Sequence, residues 1–316
     1  MDAARLVSTF SIVARDAESG AFGIAVQSRR FNVGAMVPWA EAGVGAVATQ
    51  AFAEMGYGPR ALDLLRAGVG AGETLERLLG ADPGAALRQV AVVDARGEVA
   101  IHTGAGCIPF AGHRAGDGFA VQGNLLATDC VWDAMARAFE RARGAFATRL
   151  VAALEAGQAA GGDARGRESA ALLVVRSVSA TEPWRNRAVD LRVENHRKPI
   201  PELQRLLHIH GAFAALDDAT RALGEGRVDD ARALGAEALR RGRSHDEISF
   251  WVGSFLARIG RDEDSAVLAL RAALRRNPRW RNLLERLPSG FRPPETVLRR
   301  VLRKRELRRV VAPPEP

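Results

Sequence analysis

The sequence has few of the residues that build disulfide or metal sites, with two cysteines and six histidines in 316 residues. Cys107 and Cys130 are too few for a disulfide framework, and no Cys-x-x-Cys or His-x-x-x-His pattern occurs. No glycine-rich loop combines a preceding strand with the lysine that a phosphate-binding loop needs. The sequence therefore predicts neither a metal site nor a cofactor.

Long apolar runs are also absent. No stretch approaches the ~18 residues of a membrane-spanning helix, and the N-terminus lacks the charged and apolar regions of a signal peptide. The sequence therefore predicts no membrane contact, and the cytoplasm is the expected location. Hydrophobic residues make up 47% of the chain, which is enough to bury a core.

Lysine is nearly absent, since Lys198 and Lys304 are the only two. Residues 1–196 hold 20 arginines against 21 acidic residues, whereas residues 197–316 hold 25 basic against 16 acidic residues. The N-terminal part therefore offers no lysine as a catalytic base. The basic C-terminal part raises nucleic-acid binding as a further alternative, but its Arg-rich helix, 297–309, lacks aromatic residues, which favours a solvated face.

Strand and helix patterns alternate through residues 1–196, which we predict to form one domain. Two runs of β-forming residues, 9–16 and 21–29, are joined by Ala-Glu-Ser-Gly, which predicts a hairpin. A second hairpin is predicted over 88–104, and pairs of amphipathic helices lie between the strand groups. Hairpins favour antiparallel pairing and argue against a parallel dinucleotide-binding sheet. The predicted class is α+β, with sheets covered by helical layers.

Residues 197–316 are predicted to form a second, all-helical domain. Two helix–turn–helix units occupy 211–242 and 246–280, and their glycines, Gly226 and Gly260, lie 34 residues apart in the sequence. This spacing is that of tetratricopeptide repeats, so the segment resembles about two degenerate repeats. A basic amphipathic helix is predicted at the C-terminus.

Thr9 stands at the head of the first predicted strand, where a threonine is ordinarily structural. N-terminal nucleophile (Ntn) hydrolases place Thr, Ser or Cys as the first residue of such a strand, and the free α-amine accepts the proton of the hydroxyl. The layout of a strand, a turn and a returning strand fits this arrangement. The returning strand ends in Ala-Val-Gln-Ser-Arg, similar to the Ala-Val-Asp-Ser-Arg of proteasome-type subunits, with Gln27 in place of the aspartate.

The first ~195 residues resemble a bacterial family catalogued as domain of unknown function 1028, within the Ntn-hydrolase-like superfamily. The resemblance rests on seven segments in chain order: TFSIVARD, GIAVQSR, VGAMVPWAEAGVGAVATQA, YGPRALDLL, RQVAVVDARGEVAIHTGAGCIPFAGH, VQGNLLA and AAGGDARGRESAALLVVR. It implies a four-layer αββα sandwich, in which two antiparallel sheets pack between helical layers. It also implies a C-terminal extension, peptidoglycan-binding or helical, but no substrate.

One departure from the family concerns the residues before Thr9. Many members begin Met-Thr-Phe-Ser, so that removal of methionine exposes the threonine, whereas this chain has Met-Asp-Ala-Ala-Arg-Leu-Val-Ser in front. Either Thr9 is released by cleavage after Ser8, or the assigned start of the chain is wrong, or Thr9 is never terminal. The last case disables the standard mechanism.

The remaining candidates are polar residues near predicted strand ends or in glycine-rich loops. Gln27 and Ser28 alternate faces, so only one is expected to point to the site. Asn124 is a candidate oxyanion donor, and an Arg fork near Asp163 is a candidate carboxylate clamp. The predicted catalytic residues are Thr9, Gln27 and Asn124, and the predicted substrate-binding residues are Ser28, Gln50, Glu54, His113, Asp163 and Arg165. Each has an ordinary structural alternative.

Two functions remain open. The first is an Ntn amidohydrolase in which Thr9 attacks the carbonyl of a small amide or peptide-like substrate. The second is a non-catalytic scaffold whose helical tail binds a protein or cell-wall partner, with a homodimer as a further possibility. The extra N-terminal residues favour the second, and the strand layout favours the first.

Overall fold

The computed structural model describes residues 6–7, 9–178, 181, 183–260, 262–302, 307 and 310. The chain divides into two compact units, residues 1–205 and 206–316, and the division falls within a single long helix. Of the predicted Arg-rich helix, 297–309, the structure describes 297–302 and 307, and the rest lies outside the described residues. None of the described helices is long and apolar enough to traverse a bilayer.

The described residues contain eleven strands. These are β1 (Leu6–Val7), β2 (Thr9–Arg15), β3 (Phe22–Ser28), β4 (Pro38–Glu41), β5 (Gly45–Phe52), β6 (Arg88–Asp94), β7 (Val99–Thr103), β8 (Gly112–Gly116), β9 (Phe119–Asn124), β10 (Ser169–Val175) and β11 (Arg187–Val193).

The same residues contain ten α-helices. These are α1 (Tyr57–Arg66), α2 (Ala71–Gly80), α3 (Val131–Arg141), α4 (Phe146–Ala159), α5 (Pro199–Gly224), α6 (Val228–Gly242), α7 (Asp246–Ile259), α8 (Glu263–Arg276), α9 (Trp280–Arg286) and α10 (Glu295–Val301).

The strands form two antiparallel sheets, which confirms the predicted α+β class. The first sheet has five strands in the order β1-β5-β6-β7, with β4 also paired to β5. The second has six strands in the order β11-β10-β3-β2-β9-β8. The predicted hairpin of β2 and β3 lies at its centre, and Gly20 closes the turn with a φ of 69°, a conformation that glycine adopts without strain.

The two sheets pack face to face through small and branched apolar side chains. Val13, Ile24 and Val26 from the second sheet meet Ala46, Ala48 and Ala91 from the first in one buried cluster. Strands here are buried on both faces, so they read as continuous apolar runs and not as alternating patterns.

Helices cover the outer faces of both sheets. On the first sheet, Leu62 and Leu65 of α1 and Leu75 of α2 pack on Val47 and Val92. These leucines recur at three- and four-residue spacing, which gives each helix one apolar side. On the second sheet α4 packs so closely on β3 that a Cβ at Gly23 would lie 2.4 Å from Leu150, so glycine is required there. The first unit is therefore layered helix, sheet, sheet, helix.

Every described α-helix of residues 206–302 belongs to the second unit's single apolar core. Gly226 and Gly260, with φ of 77° and 75°, follow α5 and α7 as left-handed caps. Asp262 begins α8, where its side chain accepts a hydrogen bond from the Ser265 backbone N–H at 3.1 Å.

Two strand ends in the first unit carry non-glycine residues with positive φ. Ala51, near the end of β5, has a φ of 67°, and Leu125, directly after β9, has a φ of 49°. A side chain in this region costs about 1–2 kcal/mol. Such strain persists only where surrounding contacts fix the backbone, and it concentrates at functional sites.

Replacing Ala51 with glycine is expected to relieve this strain and to raise the free energy of unfolding by about 0.5–1 kcal/mol. Ala53, which is equally buried but lacks a positive φ, is the matched control. Ala53→Gly is expected to lower the free energy of unfolding by about 0.5–1 kcal/mol through chain entropy. Urea denaturation of both variants checks the difference, and a change of the same sign in both would contradict it.

Candidate functional site

The site is built from polar side chains at the end of the sandwich where β2 begins. Ser28 and Asn124 flank Thr9 on the two neighbouring strands, and Ser169 lies beyond Ser28 on β10. Side chains in register on adjacent antiparallel strands share a face. The four residues therefore form one row on the face that meets the first sheet, and all four are fully buried.

A second polar row faces the first from the opposite sheet. Gln50 of β5 is in register with Gln89 of β6, which is in register with Thr103 of β7. Gln50 and Gln89 lie two residues from Ala48 and Ala91 on the same strands, so their side chains share the face that meets the second sheet. We call the polar set between the sheets the polar layer. It comprises the buried Thr9, Ser11, Ser28, Gln50, Gln89, Gln122 and Asn124 and the half-buried Thr103.

Gln89 is the centre of the polar layer. Its Oε1 accepts hydrogen bonds from Gln50 Nε2 at 2.8 Å and Asn124 Nδ2 at 3.0 Å. Its Nε2 contacts Thr103 Oγ1 at 2.9 Å and the carbonyl oxygens of Gly123 and Gly112 at 2.9 and 3.1 Å. One amide thus joins strands of both sheets.

Gln50 carries the network to β2. Its Oε1 accepts from Ser11 Oγ at 2.7 Å, and its Nε2 also donates to the Thr9 carbonyl at 3.2 Å. Gln122 Nε2 donates to the Ala48 carbonyl at 3.0 Å. The first residues of β2 are therefore held by hydrogen bonds from the opposite sheet as well as by pairing with β3 and β9.

Thr9 is the polar-layer residue whose side chain makes no described hydrogen bond at all; Gln122 Oε1 also lacks a described partner, but the same amide donates through Nε2. Its side chain is 0% exposed, and its Oγ1 has no hydrogen-bond partner among the described residues. A buried hydroxyl without a partner costs about 1–3 kcal/mol, so such a group in a folded protein calls for an explanation. The flanking strain at Ala51 and Leu125, each next to a polar-layer residue, marks the same end of the sandwich.

Two of the residues before Thr9 pair with the first sheet. In β1, Leu6 and Val7 pair with Phe52 and Ala51 of the first sheet, whereas Thr9 belongs to the second sheet. Val7 and Thr9, two residues apart in the sequence, therefore belong to different sheets. The Thr9 nitrogen is part of a peptide bond in this form of the chain.

Of the two residues that alternate on β3, the register puts Ser28 on the face of Thr9. Gln27 is in register with Phe10 and lies on the opposite face, the side on which Gly23 contacts α4. Gln27 is fully buried, and neither atom of its amide has a described partner. The structure thus brings Ser28, and not Gln27, next to Thr9.

Glu54 lies in the loop after β5, outside the polar layer. Its Oε1 accepts from the Gly56 backbone N–H at 3.1 Å and lies 3.5 Å from an Arg60 nitrogen. These contacts hold the start of α1.

His113 of β8 connects the polar layer to the surface. Its Nδ1 lies 2.8 Å from Thr103 Oγ1, which itself accepts from Gln89. Burial, and secondly the nearby His102, lowers the pKa of His113 below its usual range. A lower pKa favours the neutral ring, whose Nδ1 can accept the Thr103 hydroxyl proton.

Asp163 and Arg165 form an internal clasp. Arg165 Nε and Nη2 lie 3.2 and 3.0 Å from the two Asp163 oxygens, and Asp163 Oδ2 accepts from the Arg29 backbone N–H at 2.9 Å. The carboxylate side chain is fully buried. The Arg fork thus engages a carboxylate of this chain and ties the loop before β10 to the end of β3.

A second network, made of the buried Tyr57 and the half-buried Asp82 and Arg88, supports the strained end of β5. Arg88 donates to Asp82 at 2.7 Å and to the Phe52 carbonyl at 2.5 Å, and the Tyr57 hydroxyl donates to Asp82 at 2.9 Å. The Arg88 guanidinium is the main cause that lowers the pKa of Asp82 to about 2. Burial and then Asp82 raise the pKa of Tyr57 well above its usual value.

Exposed apolar side chains surround the same end. Phe31 follows β3, Met55 follows β5 and Phe110 precedes β8, and they are 57%, 41% and 49% exposed. The loops next to the polar-layer ends of β3, β5 and β8 therefore each expose one large apolar side chain. No group of three metal-ligating side chains occurs among the residues that the structure describes.

Sequence reasoning missed Ser11, Gln89, Thr103 and Gln122. The available signal was alternation, since Thr9 with Ser11 and Gln122 with Asn124 are polar pairs two residues apart in buried strands. Gln89 and Thr103 are single polar residues at strand ends, and only the pairing of β6 with β7 unites them.

Comparison with known proteins identifies the family. Residues 9–203 match the family of unknown function DUF1028. The chain belongs to this family. The crystal structure of a DUF1028 protein from Silicibacter pomeroyi is similar to it, with 33% sequence identity and a TM-score of 0.58 over 63% of this chain and 84% of that one. No curated protein matches the sequence.

In this DUF1028 protein, Gln89→Leu is expected to lower the free energy of unfolding by about 2–4 kcal/mol, since it leaves the buried donors of Gln50 and Asn124 without their acceptor. Gln158→Leu is the matched control, because Oε1 of Gln158 has no described partner. We expect its effect to stay below about 1 kcal/mol. Denaturant unfolding measures both, and equal losses would contradict the central role of Gln89.

The Asp82 network predicts a dependence of stability on pH. Because folding depresses the pKa of Asp82 from 3.8 to about 2, its contribution is present above about pH 4 and is lost as the pH falls toward 2. The contribution is about 2 kcal/mol at neutral pH.

We therefore expect Asp82→Asn to be less stable than the wild type at pH 7, with the gap closing between pH 4 and pH 2. Asp63→Asn, which breaks an exposed pair with Arg66, is the control and should change little at any pH. Chemical denaturation across this pH range tests the prediction, which fails if the gap at pH 7 persists at pH 2.

Proposed function

We propose that this protein is an N-terminal nucleophile amidohydrolase whose nucleophile is Thr9. The observation that carries the proposal is the buried Thr9 hydroxyl, which has no described partner although it lies among hydrogen-bonded polar residues. A structural threonine gains nothing from this position. A nucleophile held ready for an incoming carbonyl accounts for it.

The fold gives further support. Two antiparallel sheets between helical layers, with the candidate nucleophile at the head of a central strand, agree with the αββα sandwich of Ntn hydrolases. The family match also begins at Thr9, so residues 1–8 precede the family-wide part. Fold likeness alone does not define an activity, and the proposal therefore depends on the site.

Activation requires cleavage of the Ser8–Thr9 peptide bond. The Thr9 hydroxyl attacks the Ser8 carbonyl, the C–N bond breaks, and the Thr9 nitrogen takes the hydroxyl proton, which converts the amide to an ester. Water then hydrolyses the ester, which releases residues 1–8 with a terminal carboxylate and restores the hydroxyl. The product begins with a free threonine amine.

The mature enzyme uses that amine as its base. With a pKa of roughly 8, it accepts the hydroxyl proton while Oγ1 attacks the substrate carbonyl. The amide of Asn124, in register with Thr9, and backbone N–H groups stabilise the oxyanion. The leaving amine takes the proton, and water hydrolyses the acyl ester. Gln50 fixes the Thr9 carbonyl, and Gln27 has no role in this mechanism.

The leader indicates the substrate class. Its Ser8 carbonyl is the acyl group joined to Thr9, and Leu6 and Val7 pair with the edge of β5. A substrate that replaces the leader is therefore peptide-like, with its acyl side extended along β5. The apolar tips of Phe31, Met55 and Phe110 around this end suit apolar side chains.

Expression of the intact chain followed by mass spectrometry and N-terminal sequencing tests the proposal. The wild type is expected to yield a chain that begins at Thr9 and hydrolyses peptide-like amides, and Thr9→Ala is expected to remain uncleaved and to lose at least 10³-fold in activity. Thr74→Ala is the matched control, since Thr74 is also fully buried with an Oγ1 that has no described partner.

Cleavage and activity should be unchanged in Thr74→Ala. A Thr9→Ala chain that is cut or that hydrolyses amides at the wild-type rate would overturn the mechanism. A uniform wild-type chain that starts at Met1 or Asp2 would favour the alternative below.

The alternative is a non-catalytic scaffold, which the paired β1 strand favours because a leader held in the first sheet keeps Thr9 within the chain. In this alternative the helical tail recruits a protein or cell-wall partner. The equivalent left-handed caps at Gly226 and Gly260, 34 residues apart in the sequence, support the tetratricopeptide-like interpretation of that tail.

A further inference from the structure

The second unit contains a cavity of about 240 Å³ between α5, α7 and the turn at 289–291. Its walls are largely aromatic, with contributions from Trp251, Phe255 and Phe291. It is smaller than the roughly 300–1,000 Å³ of pockets that hold drug-sized ligands, so its size suits a single amino acid.

The inner wall carries a polar group without a partner. Ser254 is 2% exposed and lines the cavity, and its Oγ has no hydrogen-bond partner among the described residues. Ser249, on the same helix, instead bonds back to the His245 carbonyl at 3.0 Å. The Ser254 hydroxyl is therefore available to a polar atom that enters the cavity.

The open side carries one charge of each sign. Asp217 of α5 and Arg258 of α7 both line the cavity and are exposed. The Arg258 guanidinium lies 5.4 Å from the centroid of the Phe291 ring, which holds it at the mouth. Among the residues that the structure describes, Asp217 forms no ion pair, whereas the adjacent Asp218 pairs with Arg221 at 2.7 Å.

We infer that this cavity binds a free α-amino acid with a large apolar or aromatic side chain. The side chain enters between the aromatic walls, the ammonium group contacts Asp217 and the carboxylate contacts Arg258. An apolar side chain with both charges on one carbon matches aromatic walls with both charges at the mouth. The Ser254 hydroxyl, one helical turn before Arg258 on α7, donates to the same carboxylate. This site is independent of Thr9 and of the proposed hydrolase activity.

Isothermal titration calorimetry on the full-length protein tests the inference, with L-phenylalanine as the probe. We expect saturable binding at one site. Three compounds each lack one group of L-phenylalanine: 2-phenylethylamine lacks the carboxylate, 3-phenylpropionate lacks the ammonium, and glycine lacks the ring. Each should bind at least tenfold more weakly than L-phenylalanine. No saturable binding of L-phenylalanine, or equal binding of 2-phenylethylamine, would overturn the inference.

Variants locate the site. Asp217→Asn is expected to weaken L-phenylalanine binding at least tenfold and to leave 3-phenylpropionate unaffected, whereas Arg258→Gln should weaken both. Asp218→Asn is the matched control, because Asp218 does not line the cavity. Thermal unfolding by circular dichroism verifies that each variant folds. An Asp218→Asn loss as large as that of Asp217→Asn would show that binding does not involve the cavity.

Discussion

The side-chain amide of Gln89 is the interaction on which the rest of the first unit depends. Two sheets that meet only through apolar residues can slide over one another, since hydrophobic contact has no direction. Gln89 adds direction, because it accepts from Gln50 of its own sheet and from Asn124 of the other. Buried polar groups that are fully hydrogen-bonded specify one arrangement of a core. Together with the bonds of Gln50 and Gln122, this amide sets the position of Thr9 relative to the first sheet.

Two networks of hydrogen bonds, one neutral and one charged, lie at the end of the sandwich where β2 begins. The polar layer is made of neutral amides and hydroxyls, so it holds its geometry without a net charge near Thr9. The charged network of Tyr57, Asp82 and Arg88 lies behind β5 and holds the Phe52 carbonyl. Because a charge partly withdrawn from water is costly without a partner, the half-buried Asp82 and Arg88 occur here as a paired and hydrogen-bonded set.

The sequence sufficed for those features that depend on local patterns. The hairpin of β2 and β3, the helix pairs and the α+β class follow from periodicity and turn residues. The sequence analysis did not anticipate β1 or its pairing with β5, because a two-residue strand has no periodicity. Ser28 and Gln27 are equivalent in sequence, and only the register with Thr9 separates them. Arg165 stands two residues from the carboxylate it binds, but their clasp depends on a loop closed against Arg29.

The short β1 strand gives activation a direction. Val7 and Thr9 lie in different sheets, so the proposed cleavage between them would sever the covalent connection. It would leave the described part of the leader, Leu6 and Val7, held by a two-residue ladder. So short a ladder cannot offset the freedom that a released octapeptide gains. Once cut, the leader diffuses away and dilution prevents its return. The switch on which the proposed enzyme depends would therefore operate once in the lifetime of each molecule.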